Sequence, residues 1–214
     1  MPNRTAARIS TRDIATSAIL LTFIMLFALV PMRLGPVDFA FLPLLAVFIG
    51  CQAVNWKVGL FLALSFGLAS LTAAFIRPTV LSPMFYNPMV SIVPRICIGI
   101  TTYFSYVGMR KLCVFAGNKL KKFDKRFNIL ISSSVSSVVG TLTNTALVLS
   151  MLAAFNFGKE ISGIAIDGAF FAGIISLNFL VEVLVAAIVT PWIVLAVRRS
   201  QKLPEPEDAL AEQK

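Results

Sequence analysis

The chain has 214 residues, of which 57% are hydrophobic and 14% are charged, and it contains no histidine. Soluble domains carry about 25% charged residues, so this composition excludes an ordinary soluble domain and indicates an integral membrane protein. The lack of histidine removes the commonest metal ligand and general base, and the three cysteines have no metal-type spacing. We therefore expect no metal, no cofactor and no enzymatic activity.

Charged residues interrupt the apolar sequence at intervals close to the roughly 20 residues that a helix needs to cross the hydrocarbon core. The predicted fold is an all-α bundle of six transmembrane helices within residues 13–198. A basic cytoplasmic segment, residues 1–12, precedes the bundle, and a flexible cytoplasmic tail, residues 199–214, follows it. The six predicted spans cover residues 14–32, 39–56, 58–76, 87 to about 115, 127 to about 155, and about 166 to 197.

Basic residues are concentrated on one side of this predicted bundle. Of the 19 lysines and arginines, three lie in outer loops (Arg33, Arg77 and Lys159), one lies within a span, and the others fall on the side of the two termini. Cytoplasmic loops carry such an excess, so both termini are predicted to be cytoplasmic in the plasma membrane. Membrane topology then accounts for the formal net charge of +9, and no nucleic-acid partner is needed to explain it. The basic cluster at 119–126 is interpreted as a topology and anionic-lipid signal, with a docking surface for a cytoplasmic partner as the alternative.

One permanent charge, Arg95, lies inside the fourth predicted span. A guanidinium exposed to lipid would cost roughly 2.5–3.5 kcal/mol on insertion scales, so it must face a carboxylate, a polar cavity or an anionic ligand. The preceding Pro94 lacks a backbone donor and predicts a kink. Glu182 is the one carboxylate that the sequence buries. Counted from about residue 166, it lies roughly 24 Å deep, against roughly 12 Å for Arg95. We therefore expect Glu182 to lie deeper, and an ion pair between the two is the alternative.

The candidate ligand site combines Arg95 with neutral polar residues. A carboxylate or phosphate of a ligand fits the planar fork of a guanidinium. Three asparagines in or beside the fourth to sixth spans supply hydrogen bonds to hydroxyl and amide groups of the same ligand: Asn87, Asn144 and Asn178. This pattern favours a small polar molecule with one negative charge.

An apolar outer connection, residues 77–87, adds Tyr86 to the candidate site. An outer loop rich in methionine and aromatic residues is costly if it only faces water. We expect it to fold over the cavity as a lid, and the alternative is a loop that rests at the lipid interface.

Three sequence features together resemble one known family. They are Asn87-Pro88 followed by Pro94-Arg95-Ile96, the basic loop after the fourth span, and Gly140-Thr141-Leu142-Thr143-Asn144-Thr145 in the fifth. With six spans, over about residues 10–198, they resemble the substrate-binding S components of energy-coupling-factor (ECF) vitamin transporters, and the pantothenate-binding ones most of all. The resemblance implies capture of a vitamin at the outer face. It also implies two kinds of partner, a transmembrane scaffold T protein and two cytoplasmic ATPases that drive uptake.

The resemblance also implies a contact face on the first helix. Members of the family contact the scaffold through small residues, often as Ala-x-x-x-Ala. This chain departs from that pattern with two small-x-x-x-small pairs, Thr11 with Ala15 and Ala18 with Thr22, which permit close helix approach.

Several functions remain open at the level of the sequence. Pantothenate carries a carboxylate, an amide and two hydroxyls, which suits Arg95 and the asparagines. S components for hydroxymethylpyrimidine, pyridoxine or folate are alternatives, as is a stand-alone secondary carrier in which Glu182 binds the coupling ion. No Gly-rich phosphate loop ending in Gly-Lys-Ser/Thr is present, so energy must come from a partner or a gradient. An intramembrane enzyme using Glu182 or Asp167 lacks a visible acid–base pair.

Overall fold

A computed structural model describes residues 11–30, 33–34, 37–38, 41–76, 78, 82–120, 125–161, 163–169 and 178–201. Most of the predicted N-terminal segment and of the predicted C-terminal tail lies outside these residues. The described helices are α1 (Thr11–Leu29), α2 (Leu42–Ile49), α3 (Trp56–Ile76), α4 (Ser82–Phe85), α5 (Pro88–Leu120), α6 (Lys125–Asn156) and α7 (Asn178–Gln201). A π-helical turn, Gly50–Val54, continues α2.

Two short antiparallel hairpins complete the described structure. Strand β1 (Arg33–Leu34) pairs with β2 (Val37–Asp38) between α1 and α2. Strand β3 (Glu160–Ile161) pairs with β4 (Ile164–Ala165) between α6 and α7. Each strand of these hairpins is two residues long, so the fold is a helical bundle with small β-hairpins at two of its connections.

Five described helices are long and apolar enough to cross a membrane, which confirms an all-α membrane protein. They are Thr11–Leu29, Trp56–Ile76, Pro88–Phe115, Arg126–Asn156 and Phe179–Ser200. The second predicted span, 39–56, differs. Its apolar helix is only Leu42–Val54, or about 20 Å, against about 30 Å of hydrocarbon. The count of six membrane-length helices is therefore not confirmed.

The short second helix is surrounded by protein. All residues of α2 after the first are buried, and its sequence is apolar on every face, as expected for a helix enclosed by others. Phe48 is fully buried in the main core with Leu62 of α3 and Ile98 of α5. Because α2 has little contact with lipid, its length need not match the thickness of the bilayer. By contrast, α1 lies at the edge, and Ile24 is its one buried residue.

A buried polar junction forms at the π-helical turn. The Nε2 of Gln52 donates to the hydroxyl of Ser137 (3.0 Å), and the hydroxyl of Ser133 donates to Gln52 Oε1, both serines being on α6. The backbone carbonyl of Gln52 accepts hydrogen bonds from Nε (3.1 Å) and Nη2 (3.0 Å) of Arg198 on α7. This carbonyl is one of the last four of the helix, which intrahelical bonds cannot all satisfy. One residue therefore connects α2, α6 and α7.

Replacing Gln52 with Ala is expected to destabilise the bundle, because two buried serine hydroxyls lose their partner. Interhelical hydrogen bonds in membranes are worth about 0.6–1.7 kcal/mol each, so we expect a loss of about 2 kcal/mol, or roughly 4–8 °C in Tm. Thermal melting of the detergent-purified protein measures this. Thr72→Ala is the matched control, since Thr72 is exposed and its hydroxyl bonds only to Leu68 of its own helix. Equal melting of the two variants would contradict a stabilising role for the junction.

Candidate functional site

The candidate site is built on the first turns of α5. Asn87 precedes the helix, and its Oδ1 accepts a hydrogen bond from the backbone N–H of Met89 (3.0 Å). Its carbonyl also accepts from the N–H groups of Val90 (3.0 Å) and Ser91 (3.2 Å). An asparagine in this position satisfies N–H groups that have no partner within the helix. Asn87, predicted as a ligand residue, therefore has its side-chain oxygen engaged in starting the helix.

The side chain of Arg95 runs back toward this end of α5. Helical side chains tilt toward the N-terminus, and Nη1 of Arg95 donates to the carbonyl of Val90 (3.2 Å). In a regular helix that carbonyl would accept from the N–H of residue 94, but Pro94 has none. Arg95 thus satisfies the acceptor that its neighbour leaves open. The helix continues through Pro94 as one element, from Pro88 to Leu120.

The guanidinium is buried against α3. Its central carbon lies 5.3 Å from the ring centre of Phe66, and the residue is 8% exposed. The neighbouring Gly67 lets the two helices approach closely. A Cβ at Gly67 would lie 3.0 Å from Cα of Ile92 and 3.2 Å from the carbonyl oxygen of Ser91. Within the described part of the chain, Nε of Arg95 has no hydrogen-bond partner. The guanidinium is therefore held in place with one buried donor unused.

Glu182 of α7 interacts electrostatically with Arg95. An ion pair between the two residues was the alternative to a deeper position of Glu182, and this interaction favours that alternative.

Asn144 lies on α6, and its Oδ1 is buried without a hydrogen-bond partner among the described residues. One turn earlier, Gly140 packs against Phe48 of α2 and Thr102 of α5 so closely that any side chain would collide with both. The glycine brings α6 against the core, and the asparagine brings a polar group that has no partner in the described part of the bundle.

The other two predicted ligand residues are Asn178 and Tyr86. Asn178 is the first residue of α7 that the structure describes, and its side chain lies outside the described part. Tyr86 is partly exposed and stacks on Phe75 of α3, with ring centres 4.7 Å apart and planes 7° apart. Just before it, Met84 of α4 is 2% exposed and packs with Val90 and Leu152. The described residues 82–87 of the outer connection therefore pack onto the bundle at the end where α5 begins.

The predicted scaffold residues lie on the surface of α1. Thr11, Ala15, Ala18 and Thr22 are all exposed, and their spacing places them on one face of the helix. They are well separated from the buried side of α1 at Ile24. In the part of the chain that the structure describes, no group of three His, Cys, Asp or Glu residues is placed to hold a metal ion.

These features define a class: a multi-pass α-helical membrane protein with a buried arginine and with unpaired polar atoms among its described helices. No protein-family model matches the chain. The chain is 30% identical over 171 residues to the pantothenic acid transporter PanT of Lactococcus lactis subsp. cremoris (strain MG1363). The match covers 73% of this chain and 76% of that transporter. The chain belongs to the family of PanT, and the predicted resemblance to pantothenate transport proteins is confirmed.

Gly67→Val is expected to destabilise the protein, because the added methyl groups would strike the backbone of α5 next to Arg95. Overpacking of this kind costs about 1–3 kcal/mol. Gly108→Val is the matched control, since a Cβ at Gly108 meets nothing within 4 Å. Thermal melting of both purified variants measures the effect, and a Gly67 variant as stable as the Gly108 variant would contradict the close approach of α3 and α5.

Proposed function

We propose that this protein is the substrate-binding S component of an ECF-type transporter and that it captures pantothenate at the outer face of the plasma membrane. The observation that carries the proposal is the buried guanidinium of Arg95 with an unused donor, in a chain of the PanT family. In this proposal the chain crosses the membrane six times, with α2 as the short enclosed span and both termini in the cytoplasm. The ligand then arrives at the end of the bundle where α5 begins.

The geometry of Arg95 suits a carboxylate. Nη1 is occupied by the carbonyl of Val90, and the ring of Phe66 lies against the guanidinium. The hydrogen bond to Val90 does not use the edge of the guanidinium that is formed by Nε and Nη2. Charge-assisted, bidentate pairing on such an edge is stronger than a neutral hydrogen bond and fixes the orientation of the ligand. In this proposal the carboxylate of pantothenate occupies that edge.

The remaining polar groups would bind the rest of the ligand. The unpaired Oδ1 of Asn144 accepts from a hydroxyl or amide N–H, and Asn178 of α7 supplies a further amide. Tyr86 lies at the mouth, where the outer connection packs onto the bundle. Asn87 contributes through its remaining amide nitrogen and through the helix end that it caps. Small-molecule sites combine a few placed polar groups with apolar walls in this way.

Energy coupling is assigned to partner subunits. The sequence has no phosphate-binding loop of its own, and the exposed small residues of α1 offer a surface for close helix contact. We propose that Thr11, Ala15, Ala18 and Thr22 contact the transmembrane T protein, which in turn binds two cytoplasmic ATPases. Glu182 favours one second candidate, a proton-coupled carrier, since a carboxylate inside a membrane bundle is a typical proton site.

Calorimetric titration of the detergent-purified protein tests the ligand. We expect saturable binding of pantothenate without ATP. Arg95→Ala is expected to weaken binding about 100-fold or more, because hydrogen bonds to charged groups contribute about 1.5–3 kcal/mol each. Arg95→Lys is expected to weaken it about tenfold, since an ammonium lacks the planar fork.

Arg199→Ala is the control, because Arg199 is an exposed arginine at the other end of α7. Hydroxymethylpyrimidine, pyridoxine and folate are titrated beside pantothenate. Unchanged affinity in a folded Arg95→Ala variant would overturn the site. Tight binding of a different vitamin would keep the class of protein and replace the ligand.

Co-expression with the T protein and the ATPases tests the partners. Ala18→Trp is expected to reduce co-purification of the complex because the indole prevents close helix approach, while the isolated protein still binds pantothenate. Ile188→Trp, on the exposed side of α7, is the control for a bulky surface residue. Uptake that proceeds without ATPases and is abolished by Glu182→Gln would instead establish the carrier.

A further inference from the structure

A groove lies on the side of the bundle at the end opposite the candidate vitamin site. It has a volume of about 730 Å³ and lies between the first half of α1 and the last turns of α7. Ile49, near the end of α2, forms part of its inner wall. Volumes of about 300–1,000 Å³ are typical of sites that hold small ligands. The groove overlaps the proposed scaffold face only at Ala15, so it is a separate feature of the surface.

The lining of the groove changes from polar to apolar along the bundle. Arg12, Thr16 and Ser200 lie toward the ends of α1 and α7, whereas Ile19 and Ile193 lie further into the bundle. From Arg12 to Ile19, α1 rises about 10 Å. A charged group at one end and aliphatic side chains one to two turns deeper match the division of a phospholipid into headgroup and acyl chain.

We propose that this groove binds one anionic phospholipid, with its phosphate at Arg12 and one acyl chain along Ile19 and Ile193. Charge decides the headgroup. Arg12 and Arg199 are both exposed at this end, so an anion is favoured over a zwitterion. Basic pockets between transmembrane helices on the cytoplasmic side bind anionic headgroups, and each basic residue near the surface contributes about fivefold in affinity. The groove is open on its side, and in the proposed membrane arrangement this side faces the lipid acyl chains.

A bound lipid would add a contact that the helices themselves make only weakly. The main packing of α1 is on α3 and α2, with α7 on the far side of the groove. A phospholipid between α1 and α7 fills that space with close-packed atoms, which an empty groove would lack. The site does not depend on which vitamin the protein captures.

Native mass spectrometry of the full-length protein tests the proposal. The protein is exchanged into mixed micelles that contain equal amounts of phosphatidylglycerol and phosphatidylcholine with identical acyl chains. We expect retention of one phosphatidylglycerol in preference to phosphatidylcholine. Arg12→Gln is expected to reduce this preference about fivefold. Arg12→Lys should largely retain it, because a positive charge remains.

Two further variants separate the headgroup from the acyl chain. Lys57→Gln removes an exposed basic residue outside the groove and should leave the preference unchanged. Ala196→Phe fills the groove from α7 and should reduce retention of both lipids. Equal retention of the two lipids, insensitive to Arg12→Gln, would overturn the proposal and leave only non-specific annular lipid. The proposal would also be overturned if the protein retained no lipid and the Arg12→Gln variant failed to assemble with the partner subunits. That result would assign the groove to a protein contact.

Discussion

A permanent positive charge inside a membrane bundle requires compensation from its surroundings, and the arrangement around Arg95 supplies it from three helices. The carbonyl of Val90 accepts from Nη1, the ring of Phe66 lies against the guanidinium, and Glu182 provides an opposite charge. These groups belong to α5, α3 and α7. The relative positions of three helices are therefore tied to one side chain, and the close approach at Gly67 is the packing that makes this possible.

The same physical solution occurs at both ends of the bundle. In lipid, an unsatisfied backbone carbonyl costs several kcal/mol, because no water is present to replace the missing bond. Pro94 leaves the carbonyl of Val90 open, and Arg95 satisfies it. The end of the helix at the π-helical turn leaves the carbonyl of Gln52 open, and Arg198 satisfies it from α7. In both of these cases the irregularity is paired with an arginine that also contacts a neighbouring helix.

Several buried polar atoms have no hydrogen-bond partner among the described residues. They include Nε of Arg95 and Oδ1 of Asn144, together with side-chain oxygens of Thr102, Tyr106, Asn128 and Thr190. Buried polar atoms are normally paired, so such atoms in a native fold need a reason, and a ligand is one. Near the termini, Gln52 and its serines form a hydrogen-bonded junction, and the exposed features are the small residues of α1 and the groove beside them. Capture of a solute at one end and contacts with lipid and protein at the other are consistent with a transport protein.

The sequence by itself determined the class of the protein, the existence of its long apolar helices and the presence of a charge, Arg95, within one of them. These properties depend on local composition: an apolar run is apolar wherever it lies, and a charge within it is visible without a fold. The tertiary structure decided three further points, namely that α2 is short and enclosed, that Glu182 interacts electrostatically with Arg95, and that the oxygen of Asn87 caps a helix. Each depends on where a helix begins and on what surrounds it. The sequence shows that a residue is apolar but not whether it contacts lipid or protein. Only the packed bundle distinguishes these two environments.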